Sequence, residues 1–507
     1  MIIFTQINSN MKRLVLLCCL LETLVGFGQD THYWTYRFGT KAALMGGPAV
    51  GGLEDNSSVV YNPALLSFVK NISVSLNANI YQLSSINAKD GAGPGLDVGS
   101  SQFSAVPTTV SGLVPKRPSN RLTMGYAIIV PTEFTFKASA RLEDPKAIVE
   151  DVESKGLEEY VGQFTNNTRV SENLVAFAFS YRLNDNWSIG YSNQVILRTH
   201  TYSKTELARM ILNNASSSLV STSEIQSIEY SNLRYSGKLG IAFKSGNWSA
   251  GLAITSPSLV LSGKGTVARD ITANNLTINL QPNATKPPIF SRANISVNDR
   301  QTDLKTTYKS PLAVSGGFVY NSRRTVFAVS AEWFGSISQY NIVSPADDLF
   351  KRPTNLALDG SKFLKINASN KSVLNVAVGV QHTINPKLSL STGFRTNNSF
   401  YDRAYDDEVV KTSRKTLSNN AINLDISSWN IYHFIFGGTF SQERRDISLG
   451  INLSFASEGT LKQFANFDKP TEASFLLGQQ TTSQVSFLSY GLLLGYTFRF
   501  KSTNGRQ

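Results

Sequence analysis

From about residue 71 onward, apolar and polar residues alternate along most of the chain. In the first such stretch, apolar side chains occupy every second position from Ile72 to Ile80, with Ser or Asn between them. A strand with this period presents an apolar row on one face and a polar row on the other. The same division recurs many times, most clearly at 175–181, 327–333, 447–455 and 492–500.

These alternating stretches are joined by connections that are short and long in turn. The pattern predicts about fourteen strands, near 71–81, 104–115, 121–137, 173–183, 186–200, 229–244, 247–265, 306–321, 324–340, 372–384, 386–400, 428–442, 445–458 and 483–500. Tight turns rich in Asn, Asp, Gly, Pro or Arg are expected at 116–120, 184–185, 245–246, 322–323, 385 and 443–444. Long loops are expected at 82–103, 138–172, 201–228, 266–305, 341–371, 401–427 and 459–482.

Short turns on one side and long loops on the other are typical of transmembrane β-barrels of the bacterial outer membrane. We therefore predict an all-β fold, with an antiparallel transmembrane β-barrel over 71–500 and a C-terminal tail at 501–507. The mean hydropathy of −0.12 and the hydrophobic content of 41% are too low for a helical membrane protein. Polar rows that face the lumen would account for these values.

The one long apolar run lies at the N-terminus. Lys12-Arg13 precede apolar residues 14–21, and the small residues Gly26 and Gly28 follow. This order predicts a secretory signal peptide over 1–28. Cys18 and Cys19 are the only cysteines, and lipoprotein processing is an alternative, although Leu17 stands where a small residue is needed. After cleavage at Gly28 the mature chain has no cysteine, and hence no disulfide or thiolate ligand.

The formal net charge of +12 does not by itself indicate nucleic-acid binding, because the basic residues form no aromatic-interleaved basic motif. Several lie on the polar rows of predicted strands and should face the lumen. They could be paired or hydrated lumen charges, or they could attract the anionic head group of a ligand. The candidates for a head-group site are Arg182, Arg198, Arg234, Lys238 and Arg395.

The segment 29–70, which precedes the first strand and which we call the hatch, is not barrel-like. It is rich in Gly and small residues and ends in an Asn-Pro turn. Glycine permits positive φ and close backbone approach, so this segment could fold compactly and plug the lumen.

This segment resembles the mature N-terminus of the long-chain fatty-acid and aromatic-hydrocarbon transporters of the outer membrane (FadL type). The resemblance rests on Gly46-Gly47, Glu54-Asp55 and Asn62-Pro63-Ala64-Leu65, and extends in order through 255–265, 308–320 and 331–333. It implies a fourteen-stranded barrel closed by an N-terminal hatch, with passive uptake of hydrophobic molecules. It also implies that Asn62, Pro63 and Ala64 form the hatch motif, although Asn-Pro is also a common structural turn. The candidate gating residues that the resemblance implies are Gly46, Gly47, Asp55, Asn62, Pro63 and Ala64.

Two prolines interrupt the second and third predicted strands. Pro107 and Pro131 each remove a donor from a wall in which every backbone group should be paired. A turn centred near residues 117–118 would place residue 107 opposite about residue 128, so that both prolines weaken one seam. We expect a lateral exit bordered by Pro131, Glu133 and Phe134; the alternative is a bulge near the outer rim.

The loops at 205–220 and 145–161 are predicted to form short amphipathic helices. Their apolar residues could capture a hydrophobic ligand outside the cell, or could simply pack across the mouth of the barrel.

Catalytic and metal chemistry have little support. The histidines, His32, His200, His382 and His433, are far apart and show no metal-ligand spacing. We expect no enzyme activity, no metal and no cofactor. A barrel hydrolase is the enzymatic alternative. His433 lies on the polar row of its strand, but the sequence alone places no Ser or Asn beside it.

The sequence thus predicts an outer-membrane transporter whose partners are a hydrophobic small molecule and membrane lipids, with no nucleic acid. The C-terminal strand ending at Phe500 should engage the barrel-assembly machinery. The alternative function is a plugged barrel of the type nine secretion apparatus, which resembles the same family and binds secreted proteins through its loops. A general porin is less compatible with the hatch, because that segment would obstruct an open channel.

Overall fold

The computed structural model describes residues 31–500 except 36, 54, 70, 115–120, 150–153, 280–289, 355–359, 403–421, 423 and 425–426. The predicted signal peptide at 1–28 and the tail at 501–507 lie outside the described residues.

The wall of the molecule is a single antiparallel sheet that closes on itself, because β1 pairs with both β2 and β19. The strands are β1 Ser73–Lys89, β2 Val98–Leu113, β3 Leu122–Lys146, β4 Glu158–Arg182, β5 Trp187–Ile211, β6 Leu219–Ser245, β7 Trp248–Thr255, β8 Leu259–Asn279, β9 Phe290–Lys305, β10 Ala313–Asn321, β11 Thr325–Phe334, β12 Ile337–Val343, β13 Phe350–Arg352, β14 Ile366–Asn370, β15 Val373–Asn385, β16 Leu388–Asn397, β17 Ile431–Ser441, β18 Arg445–Lys462 and β19 Thr482–Arg499.

Two of the wall strands are interrupted. β7 and β8 both pair with β6, on either side of a break at 256–258, and together they form the seventh wall strand. β9 and β10 pair with β8 and β7 respectively, and form the eighth. β11, β15, β16, β17, β18 and β19 complete the circle, while β12 and β14 form a separate two-stranded sheet. The prediction of a fourteen-stranded closed barrel is confirmed.

The alternation of the sequence determines which side chains face outward. In β4, Val175, Phe177, Phe179 and Tyr181 are exposed, while the residues between them are buried toward the lumen. The same outward apolar row continues around the wall, as expected of a surface that contacts lipid.

The first wall strands extend well beyond this apolar band. Most of the predicted loops 138–172, 201–228 and 266–305 belongs to strands β3 to β6, β8 and β9. The predicted amphipathic helices at 205–220 and 145–161 are wrong. The window around 205–211 fits a strand equally well, because Glu206, Ala208 and Met210 alternate inward, and pairing with β4 and β6 determines the outcome.

An ion-pair cluster in this outer extension should make stability depend on pH. Arg269 Nη2 donates to the Glu224 carboxylate at 2.6 Å. Ser227 and Glu229, on the outer face of the same strand, are polar and exposed, so this part of the wall lies outside the apolar band. Burial disfavours the Glu224 carboxylate, but Arg269, Lys204 and Gln226 outweigh this effect and lower its pKa to about 2. The ionised form therefore stabilises the fold above about pH 5, and this stabilisation is lost as the pH falls toward 2.

We expect the apparent melting temperature in detergent to fall between pH 5 and pH 2, with Glu224 contributing roughly 3 kcal/mol to the loss of stability. A Glu224→Gln variant should be less stable at pH 6 and show a shallower fall over the same range. An equally steep fall in the variant would contradict this role for Glu224.

The described helices are short. In the hatch they are α1 Thr40–Leu44, α2 Ser58–Tyr61 and a 3₁₀-helix at Pro63–Phe68; outside it are α3 Gly360–Phe363 and a 3₁₀-helix at Glu472–Ser474. None of the helices in the described residues is both long and apolar enough to span a membrane. The hatch lies inside the barrel, where α1 approaches β17 to β19 and the 3₁₀-helix approaches β4, β5 and β6.

Candidate functional site

A ring of inward-facing glycines holds the hatch, and we call it the glycine collar. A methyl group at any of these glycines would overlap a hatch atom, and most would meet hatch backbone at less than van der Waals distance. Several are paired across neighbouring strands, as are Gly190 with Gly240 and Gly379 with Gly393. The collar comprises Gly190, Gly240, Gly251, Gly317, Gly379, Gly393, Gly437, Gly450 and Gly495.

The predicted motif Asn62-Pro63-Ala64 lies against this collar, next to Gly190, Gly240 and Gly251. The Asn62 amide donates to the carbonyl oxygens of Val50, within the hatch, and Ile241, in the wall, at 3.2 and 3.1 Å. Its Oδ1 accepts from the Ala64 amide and caps the 3₁₀-helix. Asn62 is fully buried, so each of these bonds is made without competition from water.

Ala64 and Asp55 fix the rest of the hatch. The Ala64 carbonyl accepts hydrogen bonds from Ser180 and Ser188 of the wall at 2.7 and 2.8 Å. The buried Asp55 accepts from the Lys41 amide at the start of α1 at 3.0 Å, which suits a carboxylate at a helix N-terminus.

Gly46 and Gly47 are required by backbone geometry. Their φ values of 86° and 92° lie in the left-handed region, where residues with a side chain are strained. Gly46 also lies beside the backbone of Phe394. The position of each predicted hatch residue is therefore fixed by hydrogen bonds, by contact with the wall or by a left-handed backbone conformation.

The head-group candidates divide into two groups. Arg182 donates to the carbonyl oxygen of Ser67 and lies over the Phe68 ring at 5.7 Å, so it contacts the end of the hatch. The structure does not bring Arg182 to the other four. Arg198, Arg234, Lys238 and Arg395 line one cavity of about 190 Å³ between the hatch and the wall, which we call the lumen cavity.

The centre of positive charge in this cavity is an arginine pair that shares one carboxylate. Arg198 and Arg234 donate to the same Glu172 oxygen at 2.8 and 2.7 Å. The Tyr308 ring lies 3.9 Å from the Arg198 guanidinium carbon and 5.1 Å from that of Arg234. In the part of the chain that the structure describes, Arg198 Nη2 and Arg234 Nη1 are buried and have no hydrogen-bond partner. Each of these two nitrogens carries two N–H groups that are suited to donate to an anion.

The remaining charges leave the cavity positive. Lys238 Nζ is 3.9 Å from Glu332, whose other oxygen accepts from Trp34 Nε1 of the hatch at 2.6 Å. The Arg395 guanidinium lies 5.7 Å from the Trp34 ring. Four basic side chains therefore face two acidic ones. The rest of the lining is largely apolar or aromatic and includes Tyr33, Phe38, Ile129, Leu174, Ile196, Phe334 and Phe400.

A gap in the wall lies beside this cavity, between β2 and β3. The ladder between these strands runs only from Leu113/Gly125 to Thr109/Ile129. Beyond that pair the strands separate, and they meet again where the Lys137 amide donates to Ser100 Oγ at 2.9 Å. We call the opening between these two contacts the window.

Both predicted prolines lie at the lower edge of the window, at register shifts. The β1–β2 register shifts next to Pro107, and the β3–β4 register shifts between Ile129 and Thr132, which brackets Pro131. The prediction that residue 107 faces about residue 128 is wrong. Continuing the register of the last described pair, Thr109/Ile129, places Pro107 opposite Pro131.

A second cavity of about 100 Å³ connects the window to the lumen. It is lined by Phe103, Ser104, Glu133, Phe134 and Thr135 on the wall, and it also reaches Arg37 of the hatch. Phe103 is 62% exposed on the outer face. Pro131 lines the lumen cavity instead. Of the three predicted border residues, one therefore lines the lumen cavity and two line the cavity at the window.

The histidines are hydrogen-bonded separately. His433 Nδ1 lies 2.6 Å from Ser454 Oγ, and Asn452 donates to the same hydroxyl, an order that differs from a Ser–His–acid relay. His200 and His32 bond to Tyr230 and to a backbone carbonyl. Among the described residues, no group of three or more His, Cys, Asp or Glu side chains could hold a metal ion.

The family model for the outer membrane protein transport proteins (OMPP1/FadL/TodX) matches residues 38–418. The chain belongs to this family. It is therefore a transport protein of the bacterial outer membrane, as the sequence predicted.

Solved structures agree with the fold. A FadL homologue from Pseudomonas aeruginosa is similar with a TM-score of 0.54 and 14% identity, over 94% of this chain and 100% of that chain. The Pseudomonas putida toluene transporter TodX gives a TM-score of 0.53 and 12% identity, over 93% and 100%. No curated protein sequence matches the chain.

The glycine collar and Glu172 were not predicted from the sequence. Glycines on the inward rows of many strands were the available signal for the collar, since a row that faces water has no need of so many. Glu172 carried no comparable signal, because its two arginine partners are 26 and 62 residues away in sequence.

Proposed function

We propose that this transporter takes up hydrophobic molecules that carry a small acidic head group, such as long-chain fatty acids. The lumen cavity carries the proposal, because an apolar lining surrounds two buried arginines with unused N–H groups. A carboxylate would accept these donors while its chain contacted the aromatic side chains. The relative TodX transports toluene, which has no such head group, so the arginine pair is the feature that favours an acid here.

The proposed route runs from the extracellular side to the lumen cavity and then to the window. Pro131 lines the lumen cavity, while Glu133 and Phe134 line the cavity at the window. A ligand that leaves there enters the membrane without crossing the hatch. In this proposal Pro107 and Pro131 keep the window open by removing ladder donors, and the hatch blocks the direct path.

Substituting Arg234 should separate acids from neutral ligands. We expect Arg234→Gln to weaken binding of a long-chain fatty acid about tenfold, because one charge-assisted hydrogen bond is lost. Binding of the methyl ester of the same acid should change little. Fluorescence displacement on the purified protein would measure both.

The matched control is Lys264→Gln, since Lys264 is exposed and its ion pair in the described part of the chain is with the equally exposed Asp303. It should bind acid and ester like the wild type. Equal weakening of the acid and the ester in Arg234→Gln would contradict a head-group role and indicate a change in the cavity as a whole.

Lipid extraction followed by mass spectrometry tests the substrate class directly. Retained fatty acid supports the proposal, and co-purified secreted proteins with an empty lumen would favour the secretion alternative. Nothing in the described structure favours that alternative. Engagement of the barrel-assembly machinery by the strand that ends near Phe500 stays a prediction.

A further inference from the structure

An apolar groove on the outer face of the barrel lies next to two basic turns at the periplasmic ends of its strands. We propose that it binds one anionic phospholipid of the periplasmic leaflet, with an acyl chain in the groove and the phosphate at the turns. The site is separate from the lumen cavity and from the window, and lies across β10, β11, β15, β16 and β17.

The groove has an apolar floor between aromatic sides. Outward-facing Val329, Val378 and Val380 form its floor, and its volume is about 380 Å³, within the range of small-molecule sites. Phe318 and Phe327 stand on one side, Phe394 and Phe434 on the other. The lining is largely apolar, and this suits a hydrocarbon chain.

The groove lies in the periplasmic half of the membrane. It begins at Tyr320, whose ring lies 4.3 Å from that of Trp248. Outward-facing Trp and Tyr residues of this kind mark the interface of the bilayer. Tyr320 is followed at once by the short turn at 322–324, and short turns face the periplasm in barrels of this type.

The turns below the groove carry positive charge and no acid. Arg323 and Arg324 occupy one turn and Lys387 the next, and all three are exposed. The residues 321–325 and 384–388 include no Asp or Glu. The turns are adjacent, because the Thr383 amide donates to the Arg324 carbonyl.

The spacing suits a lipid with its phosphate at the turns. Arg323 lies three positions after Tyr320, and Arg324 lies three positions before Phe327. Three positions correspond to about 10 Å along a strand, so both arginines are about this far from the groove. Basic side chains at the head-group level attract anionic lipids. The turn at 442–444 differs, because it carries Glu443 and is followed by Asp446, which pairs with Arg499.

Native mass spectrometry of the full-length protein tests the proposal, with phosphatidylglycerol and phosphatidylethanolamine of identical acyl chains added in detergent. The wild type should retain one phosphatidylglycerol in preference to phosphatidylethanolamine. The Arg323→Ala/Arg324→Ala variant should bind phosphatidylglycerol at least about tenfold more weakly.

Two further variants test whether binding depends on these particular turns and whether it depends on the groove. Arg121→Ala/Arg444→Ala removes two arginines from the periplasmic rim outside these turns and should leave retention unchanged. Val378→Trp fills the floor without changing charge and should reduce retention of the lipid. Heat-modifiable mobility in gels verifies that each barrel is folded.

Equal retention of both lipids by the wild type would overturn the proposal. The same loss in the control double variant would also overturn it, because binding would then depend on the charge of the rim as a whole. Unchanged retention in Val378→Trp would show that the groove takes no part.

Discussion

Joining β2 to β3 across the window should reduce uptake of a fluorescent long-chain fatty acid to the level of cells that lack the protein. The chain suits this experiment, because its only cysteines, Cys18 and Cys19, lie in the predicted signal peptide. Ser104→Cys and Thr135→Cys place thiols on the two strands that border the window. A short bis-maleimide reagent would connect them.

The expected effect is large because the window is the gap through which the proposed route leaves the barrel. Between Thr109/Ile129 and the Ser100–Lys137 contact, the two strands have no ladder hydrogen bonds to break. A ligand can therefore pass there at a lower cost than anywhere the wall is paired, since an unmade backbone bond in a membrane costs several kcal/mol.

The controls distinguish closure of the window from general stiffening. Each single-cysteine variant treated with the reagent should transport normally. Thr199→Cys/Ser231→Cys, which joins two residues that are already opposite each other in the β5–β6 ladder, should also transport normally when oxidised. Unchanged uptake after complete cross-linking of the window would show that ligands leave by another path, through the hatch.

Replacing Gly251 with Val should displace the hatch and turn the protein into a leaky channel. A side chain at this position would overlap the Val50 carbonyl and the Asn62 amide, and the backbone oxygen cannot move without the hatch. Overpacking of this kind costs about 1–3 kcal/mol or more. We expect conductance in planar bilayers, with sensitivity of cells to large hydrophilic antibiotics.

Gly316→Val is the matched control on a neighbouring strand. Gly316 faces outward, and an added Cβ would meet only Leu252 Cδ1 at 3.9 Å. It should stay closed and fully folded. A closed Gly251→Val barrel with normal fatty-acid uptake would contradict the view that the collar holds the hatch in place.

The barrel was predictable because its signal is local and repeated. The alternation of apolar and polar residues within each stretch, such as 175–181, predicts a strand without reference to the rest of the chain. About fourteen such stretches together predict one closed barrel. The outer extensions were not predictable, because a segment like 205–211 contains few residues and satisfies two periods. Only pairing with β4 and β6, which are distant in sequence, selects the strand.

The candidate site was predictable to a lesser degree. The polar rows placed Arg198, Arg234, Lys238 and Arg395 in the lumen, but they placed Arg182 there equally, since inward direction says nothing about depth along the barrel. Pro107 and Pro131 indicated the region of the window, because the missing N–H of a proline is evident from the residue type alone. Glu172 depends on where three strands lie relative to one another, and no single strand carries that information.

The glycine collar also constrains the order of assembly. Hatch and wall approach more closely than a methyl group would allow, and the collar includes Gly495 of β19, the strand that closes the circle on β1. A hatch that folded elsewhere could not be threaded into a finished ring with so little clearance. We expect it to lie within the curling sheet beforehand, so that the last strand closes around it.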